Sequence, residues 1–233
     1  MGVVDAIVLS HGHWDHGGAM LRALQLIRDR NGGKEVPYYA HPDMFRTRAT
    51  KFGTDELRPM EDVPSVEALT AHVAGVVNTR DPQVLPGGLA YVSGEIPRVT
   101  AFEKGLKGQH RKTLDGAGWE LDELIMDERF VAVNVRNKGI VVLTACSHAG
   151  LVNVLTHARA CFGDHPIHAV VGGLHLTGSN EKIIPETVAG MRDFGLAVIA
   201  PGHCTGWRAV NAFAQAFGED VLVPLAVGKR VTF

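Results

Sequence analysis

Apolar residues in this chain come in short runs, and turn-forming or charged residues separate them. Val3 to Leu9 is an almost unbroken apolar run that reads as a buried strand. From Ala19 to Arg30 the period changes. Met20, Leu21, Leu24 and Ile27 recur at helical spacing until Asn31-Gly32-Gly33 stops the helix. Val36 to Ala40 is the next strand, and His41 to Arg46 turns into a short helix with Asp43 in its first turn. Between about residues 50 and 118 the pattern weakens. Pro59, Pro64, Pro82, Pro86 and Pro97 interrupt it, and Gly87-Gly88, Gly105 and Gly108 add turns, leaving one short strand from Leu89 to Ser93. This stretch is expected to be an irregular insertion, either a wall over a site or a plain surface excursion.

Order returns near Leu121. Arg129–Val135 and Gly139–Thr144 are apolar runs joined by Arg136-Asn137-Lys138, a hairpin signal. A helix over Ala149–Cys161, a strand over His165–Val171 and a helix over Glu181–Phe194 follow, the last with Asn180 as candidate cap and Pro185 early. A strand over Ala197–Ala200, a helix over Arg208–Phe217 and short strands from Val221 to Phe233 close the chain. Alternating strands and helices make this an α/β fold. With 233 residues, one domain is the default.

Strand ends repeatedly carry histidine. His11, His148, His175 and His203 each follow an apolar run directly. Ligands at strand ends converge on one edge of an α/β sheet. The first run leads into Ser10-His11-Gly12-His13-Trp14-Asp15-His16-Gly17-Gly18, where three imidazoles and a carboxylate fall within six residues. All four suit a borderline divalent metal. A helix would place histidines at i and i+4 on one face, so a site borne on a turn fits this spacing better.

Composition narrows the partners. A net charge of −2 exerts no global pull on nucleic acid or membrane, and no apolar stretch is long enough to span a bilayer. No basic stripe with interleaved aromatics is visible either. The expected partner is an anionic small molecule. Three cysteines (Cys146, Cys161, Cys204) without a framework spacing argue for a reducing compartment, and the start lacks a basic n-region, so the expected location is cytoplasmic.

The turn resembles the His-x-His-x-Asp-His signature of the metallo-β-lactamase superfamily, whose fold is an αββα sandwich with a two-metal site along a sheet edge. The resemblance implies that His11, His13 and His148 hold one divalent ion and Asp15, His16 and His203 a second. Zinc is the first expectation, with manganese or iron as alternatives. Three protein ligands per ion leave a position open for water. Many members carry a bridging aspartate where this chain has His175. Its role here stays open between terminal ligand, proton donor and substrate contact. Cys146 and Cys204 are thiolate ligands or buried thiols beside the ligands.

Gly94-Glu95-Ile96-Pro97-Arg98, Thr144-Ala145-Cys146-Ser147-His148-Ala149-Gly150, Gly172-Gly173-Leu174-His175-Leu176 and His203-Cys204-Thr205-Gly206 narrow the likeness. They resemble a branch named for dihydropterin–ribofuranosylaminobenzene phosphate synthase, many of whose members are called only metal-dependent hydrolases. The branch implies a phosphate-bearing substrate, by hydrolysis or by diphosphate displacement from a pterin methyl carbon. Asp15 and His175 would serve the chemistry. Glu95 and Arg98 would belong to a substrate loop, and Arg46 and Arg48 would meet phosphate unless they are solvated surface charges.

Thioester or lactam hydrolysis is the alternative chemistry within the superfamily, and an inactive metal-binding scaffold is the other. The scaffold reading arises because branch members usually begin with further strands, including an Asp-Thr-Gly segment whose aspartate supports the metal site. This chain begins at the strand just before its metal turn. A truncated start, or compensation by other residues, is the expectation. An apolar face left open in this way invites either a homo-oligomer or instability. His41 reads as a hydrogen-bonded structural histidine, Asp127 and Glu128 as a charged strand start, and His72, His110, His157, His165 and His168 as surface or packing residues.

Overall fold

A computed structural model describes residues 2–51, 53 and 55–233. The strands are β1 (Ile7–Val8), β2 (Pro37–Ala40), β3 (Arg48–Thr50), β4 (Arg58–Pro59), β5 (Gly75–Asn78), β6 (Gln83–Val84), β7 (Tyr91–Val92), β8 (Gln109–Lys112), β9 (Trp119–Leu121), β10 (Val131–Val135), β11 (Gly139–Thr144), β12 (Ile167–Gly173) and β13 (Val198–Gly202). The α-helices are α1 (Trp14–Gly17), α2 (Met20–Arg30), α3 (Val66–Thr70), α4 (Leu151–Phe162), α5 (Ile184–Met191) and α6 (Trp207–Phe217). None among the described residues is long and apolar enough to cross a membrane.

The largest sheet has the order β13-β12-β11-β10-β7-β6. Its strands β11, β12 and β13 run parallel, as helical crossovers α4 and α5 require. The hairpin β10–β11 forms as the sequence predicts, with Val131 opposite Leu143 and Val135 opposite Gly139. Asn137 in its turn adopts φ +60°, a conformation asparagine tolerates better than most residues. Ile140 and Val142 of this sheet pack with Leu151, Val154 and Leu155 of α4, Met191 of α5 and Phe213 of α6. All seven are essentially inaccessible to solvent, and each such side chain contributes about 1.5–3 kcal/mol by burial.

A second, parallel sheet has the order β1-β2-β5. It shares a smaller core with α2 and α3, made of Leu9, Leu24, Tyr38, Met44, Leu69 and Val73. Arg129 ties the two sheets together. Its N–H donates to Ser10 O at 2.8 Å, and its buried guanidinium donates to the carbonyls of Ala40, Asp81 and Ser93.

The structure corrects four expectations. First, the stretch from 50 to 118 is not irregular throughout. With β3 it supplies most of an antiparallel sheet, β4-β3-β8-β9, and it lends β5 to one parallel sheet and β6 and β7 to the largest. These strands are two to four residues long, too short for alternation to register in sequence. Second, the run from Val3 forms a ladder only at Ile7–Val8. Val4 instead exchanges both backbone groups with the side-chain amide of Asn31. Third, the helix expected over 181–194 is α5 flanked by 3-10 turns at Gly178–Ile183 and Arg192–Phe194. Pro185 sits in its first turn, where a missing N–H costs nothing. Fourth, the strands expected after Val221 reduce to a single bridge between Ile199 and Leu222.

One buried carboxylate fixes the start of α4, the helix that follows the histidine turn after β11. Glu103, 3% exposed, accepts from Val152 N at 2.8 Å and Asn153 N at 2.9 Å. Gly150 lets it approach, because a Cβ there would collide with the Glu103 side chain. Replacing Glu103 with alanine strands two buried donors. A loss of about 1–3 kcal/mol in unfolding free energy is expected, read from the urea midpoint.

Candidate metal centre

The turn after β1 is built for crowding. Leu9 still pairs with Tyr39 O, and the chain then reverses through Ser10 to His13 into the single turn of α1. Gly12 lies against the backbone of Met44 and the guanidinium of Arg48, where no Cβ fits. Its N–H donates to Asp127 Oδ2 at 2.8 Å, and its carbonyl accepts from Arg48 Nη1 at 3.2 Å. Two buried side chains of opposite character thus hold Gly12 from both sides, one at its N–H and one at its carbonyl.

Three neighbouring parallel strands deliver the other histidines. After β11, β12 and β13 the chain passes through Ser147, His175 and His203, with φ of +57°, +45° and +49°. Each is a non-glycine residue in the left-handed region, at about 1–3 kcal/mol apiece. Such strain is tolerated where it aims side chains. Gly172 is needed between two of these turns, since a Cβ there would strike Thr144 O.

His11, His13 and His148 form a closed trio. Their ring centroids lie 4.7, 4.9 and 4.8 Å apart, and none is more than 6% exposed. Ser10 Oγ engages His11 Nδ1 at 3.0 Å, and Gln109 Oε1 engages His13 Nε2 at 2.7 Å. The remaining nitrogens, His11 Nε2 and His13 Nδ1, face each other at 3.1 Å. Both ring nitrogens of His148 are buried without a protein partner. Burial, reinforced by the neighbouring rings, holds the His11 and His148 imidazoles well toward the neutral form; burial also lowers His13. Neutral imidazoles with inward lone pairs are what a divalent ion needs. An orphaned buried imidazole is costly unless something polar meets it. The donor set therefore fits a metal.

A second, more open trio adjoins it. Asp15 Oδ2 lies 3.3 Å from His16 Nε2 and 3.3 Å from His203 Nε2. The Asp15 and His203 side chains are about half exposed, at 54% and 47%. His16 connects the trios, its ring 4.4 Å from His11 and 4.9 Å from His203. The donor atoms within each trio lie inside 4.8 Å of one another. The His175 ring lies 4.3 Å from that of His148, tilted by 56° to it, with Nδ1 buried and unpartnered. Asn180, expected as a helix cap, instead donates to the His175 carbonyl at 3.1 Å.

The four residues expected to contact substrate are placed differently from one another. Arg46 and Glu95 line a charged cavity of about 700 Å³ together with Asp43, Arg80, Arg111 and Glu120. Arg46 pairs there with Glu120, and Glu95 with Arg80 and His41. Arg48 corrects its expectation. It is 2% exposed and bound to Asp122, Asp127 and backbone carbonyls, leaving nothing for a phosphate. Arg98 likewise points its guanidinium at the carbonyls of Ile96, Leu124 and Ile125. His41 is a buried structural histidine, accepting from Asp43 N and meeting Glu95 at 3.0 Å.

Sequence reasoning missed the residues behind the trio. Asp127 and Glu128 are no simple strand start; both are buried under the ligand turns. Glu128 accepts from His148 N at 2.7 Å and Ala149 N at 2.6 Å, and burial pushes its carboxyl up to about 7. The only signal was an acidic pair directly before an apolar run. Glu128→Gln keeps the size but turns an amide N–H₂ toward a backbone donor. Roughly 10–100-fold weaker metal binding is expected, measured by competition with a chromophoric chelator.

No family model matches the chain. It is 31% identical over 240 residues to the 7,8-dihydropterin-6-methyl-4-(β-D-ribofuranosyl)-aminobenzene-5'-phosphate synthase of Methanocaldococcus jannaschii, covering 99% of this chain and 76% of the synthase. It is 28% identical to an uncharacterized protein of the same organism, over 91% of this chain and 73% of that one. A solved metal-dependent hydrolase of the β-lactamase superfamily superposes with a TM-score of 0.77 at 22% identity, covering 97% of this chain and 78% of that chain. The isothiocyanate hydrolase from Delia radicum gut bacteria gives 0.51 at 13% identity, over 99% of this chain and 78% of that chain. The structural likenesses show the fold, and the sequence likeness shows the kinship: this chain belongs to the family of the dihydropterin–ribofuranosylaminobenzene phosphate synthase, on a metallo-β-lactamase fold.

Proposed function

We propose that this chain is a dinuclear metal-dependent enzyme acting on a phosphate-bearing small molecule. The reaction is the condensation named for its synthase relative, or hydrolysis of a related phosphate ester. One observation carries the reading: His148, with both ring nitrogens buried and unpartnered, closes a trio whose other free nitrogens turn inward. Beside it the Asp15–His16–His203 trio faces solvent, so the buried trio anchors and the open one meets substrate.

His11, His13 and His148 would hold the first ion, and Asp15, His16 and His203 the second. Bound there, two divalent ions supply charge against a leaving phosphate and, if zinc, bring the pKa of a water to about 7. The chain's own groups do the rest. Asp15 is the one carboxylate among these six ligands and balances only part of two dications, so an anionic substrate is attracted. His175, beside the trio and held by the Asn180 bond to its carbonyl, positions a ring N–H to protonate the departing oxygen.

The test is elemental analysis joined to turnover. Two ions per chain are expected, with activity on a pterin diphosphate plus ribofuranosylaminobenzene phosphate or on a phosphate-ester panel. Chelation should remove that activity and zinc, manganese or iron should restore it. Full metal content with turnover only of thioesters or lactams would overturn the substrate class. Full metal content and no turnover on any panel would leave a metal-binding scaffold.

A further inference from the structure

Two thiols lie against the open trio, and the reading above gives them no task. Cys146 Sγ is 3.2 Å from His16 Nε2. Cys204 Sγ sits over Gly173, which has no Cβ to obstruct it, and donates to Cys146 O at 3.7 Å. Cys146, His203 and Cys204 place one donor atom each within 4.8 Å of one another, as do His11, His16 and Cys146. Cys146 thus stands in reach of both trios, with His11 and His16 on one side and His203 on the other. Three different turns converge to place these donors: the turn after β11 brings Cys146, α1 brings His16, and the turn after β13 brings His203 and Cys204.

We propose that the open metal position is thiol-bearing: Cys146 and Cys204 ligate there with His203. The inference rests on the dinuclear reading and deepens it. Each thiol that binds releases its proton to solvent and donates a sulfur lone pair to the ion, with no change of oxidation state. Soft sulfur donors favour zinc, cobalt or cadmium over manganese or magnesium at this position.

The experiment loads the metal-free protein with cobalt(II) alone and records its absorption spectrum. A near-ultraviolet sulfur-to-cobalt charge-transfer band is expected. Cys146→Ser and Cys204→Ser should each weaken it, and the double variant should lose it while keeping cobalt on the histidine trio. Cys161→Ser is the control, since Cys161 lies elsewhere, 3.4 Å from the Tyr91 hydroxyl. Circular dichroism confirms that each variant is folded. Cobalt bound at two per chain with no such band overturns the thiol assignment and leaves the dinuclear reading intact. A band surviving in the double variant also overturns it. Failure of the folded wild type to bind cobalt overturns both.

Discussion

His148→Ala is expected to abolish ion binding at the buried position and to lower turnover by more than about 100-fold, beyond the 10–100-fold typical of losing an outer partner. Its neighbours show why. His11 and His13 each commit one nitrogen to Ser10 or Gln109, so each has one left to give. Two nitrogens do not complete a three-ligand site. The stability of the variant separates a ligand from a packing residue. Without metal, both His148 nitrogens are buried and unpartnered, so removing them relieves a cost while leaving a cavity. Metal binding should stabilise the wild type by about 2.7 kcal/mol at a hundredfold excess over its dissociation constant. In the variant that increment should shrink toward what the open trio alone supplies. Thermal melts with and without zinc read it. A variant that keeps both the full increment and the turnover removes His148 from the site.

The legible part of this site is the part carried by local pattern. His11, His13, Asp15 and His16 sit within one turn, and their spacing alone speaks of metal. His148 and His203 are weak signals by themselves; their place at the ends of apolar runs and the resemblance to the superfamily's ligand pattern together single them out. The illegible part is carried by contacts across the chain. Asp127 reaches Gly12 over 115 positions and Gln109 reaches His13 over 96. No periodicity encodes such pairs. In sequence, Asp-Glu-Arg before a strand looks like solvated polarity, and only the fold reveals that all three side chains are buried.

The fold divides in the same way. Strand β11 is legible to the residue because four consecutive apolar side chains, Ile140 to Leu143, run between Gly139 and Thr144 into the ligand turn. The antiparallel sheet of β3, β4, β8 and β9 is not, because its strands carry Arg48, Arg58, Gln109, His110, Arg111 and Glu120. Polar side chains make a strand unrecognisable when its partners are unknown. Arg46 and Arg48 are the sharpest example. They are two residues apart and look alike in sequence, yet one lines an open cavity and the other lies inside.

Arg48→Met should therefore destabilise the protein more than any surface substitution. Arg48 bonds Asp122 at 3.1 Å and Asp127 at 3.0 Å, and both carboxylates are buried. It also donates to the Gly12 and Asp43 carbonyls. Removing one side of a buried charge network costs about 3–5 kcal/mol, a large share of the 5–15 kcal/mol typical of a domain. Arg48→Lys should recover little, because an ammonium cannot reproduce a planar five-donor fork. The sign of the pH dependence follows from the carboxylates. Burial raises the Asp122 carboxyl and Arg48 pulls it back, so losing Arg48 raises it further. A carboxyl raised in the folded state binds more protons folded than unfolded, and its destabilising effect fades as pH falls. The deficit of Arg48→Met should thus be largest at neutral pH and smaller near about pH 5. Urea unfolding of metal-free protein at both pH values measures it directly. Equal midpoints for variant and wild type at neutral pH would mean that Asp122 and Asp127 find other partners, and that the ligand turn does not depend on this arginine.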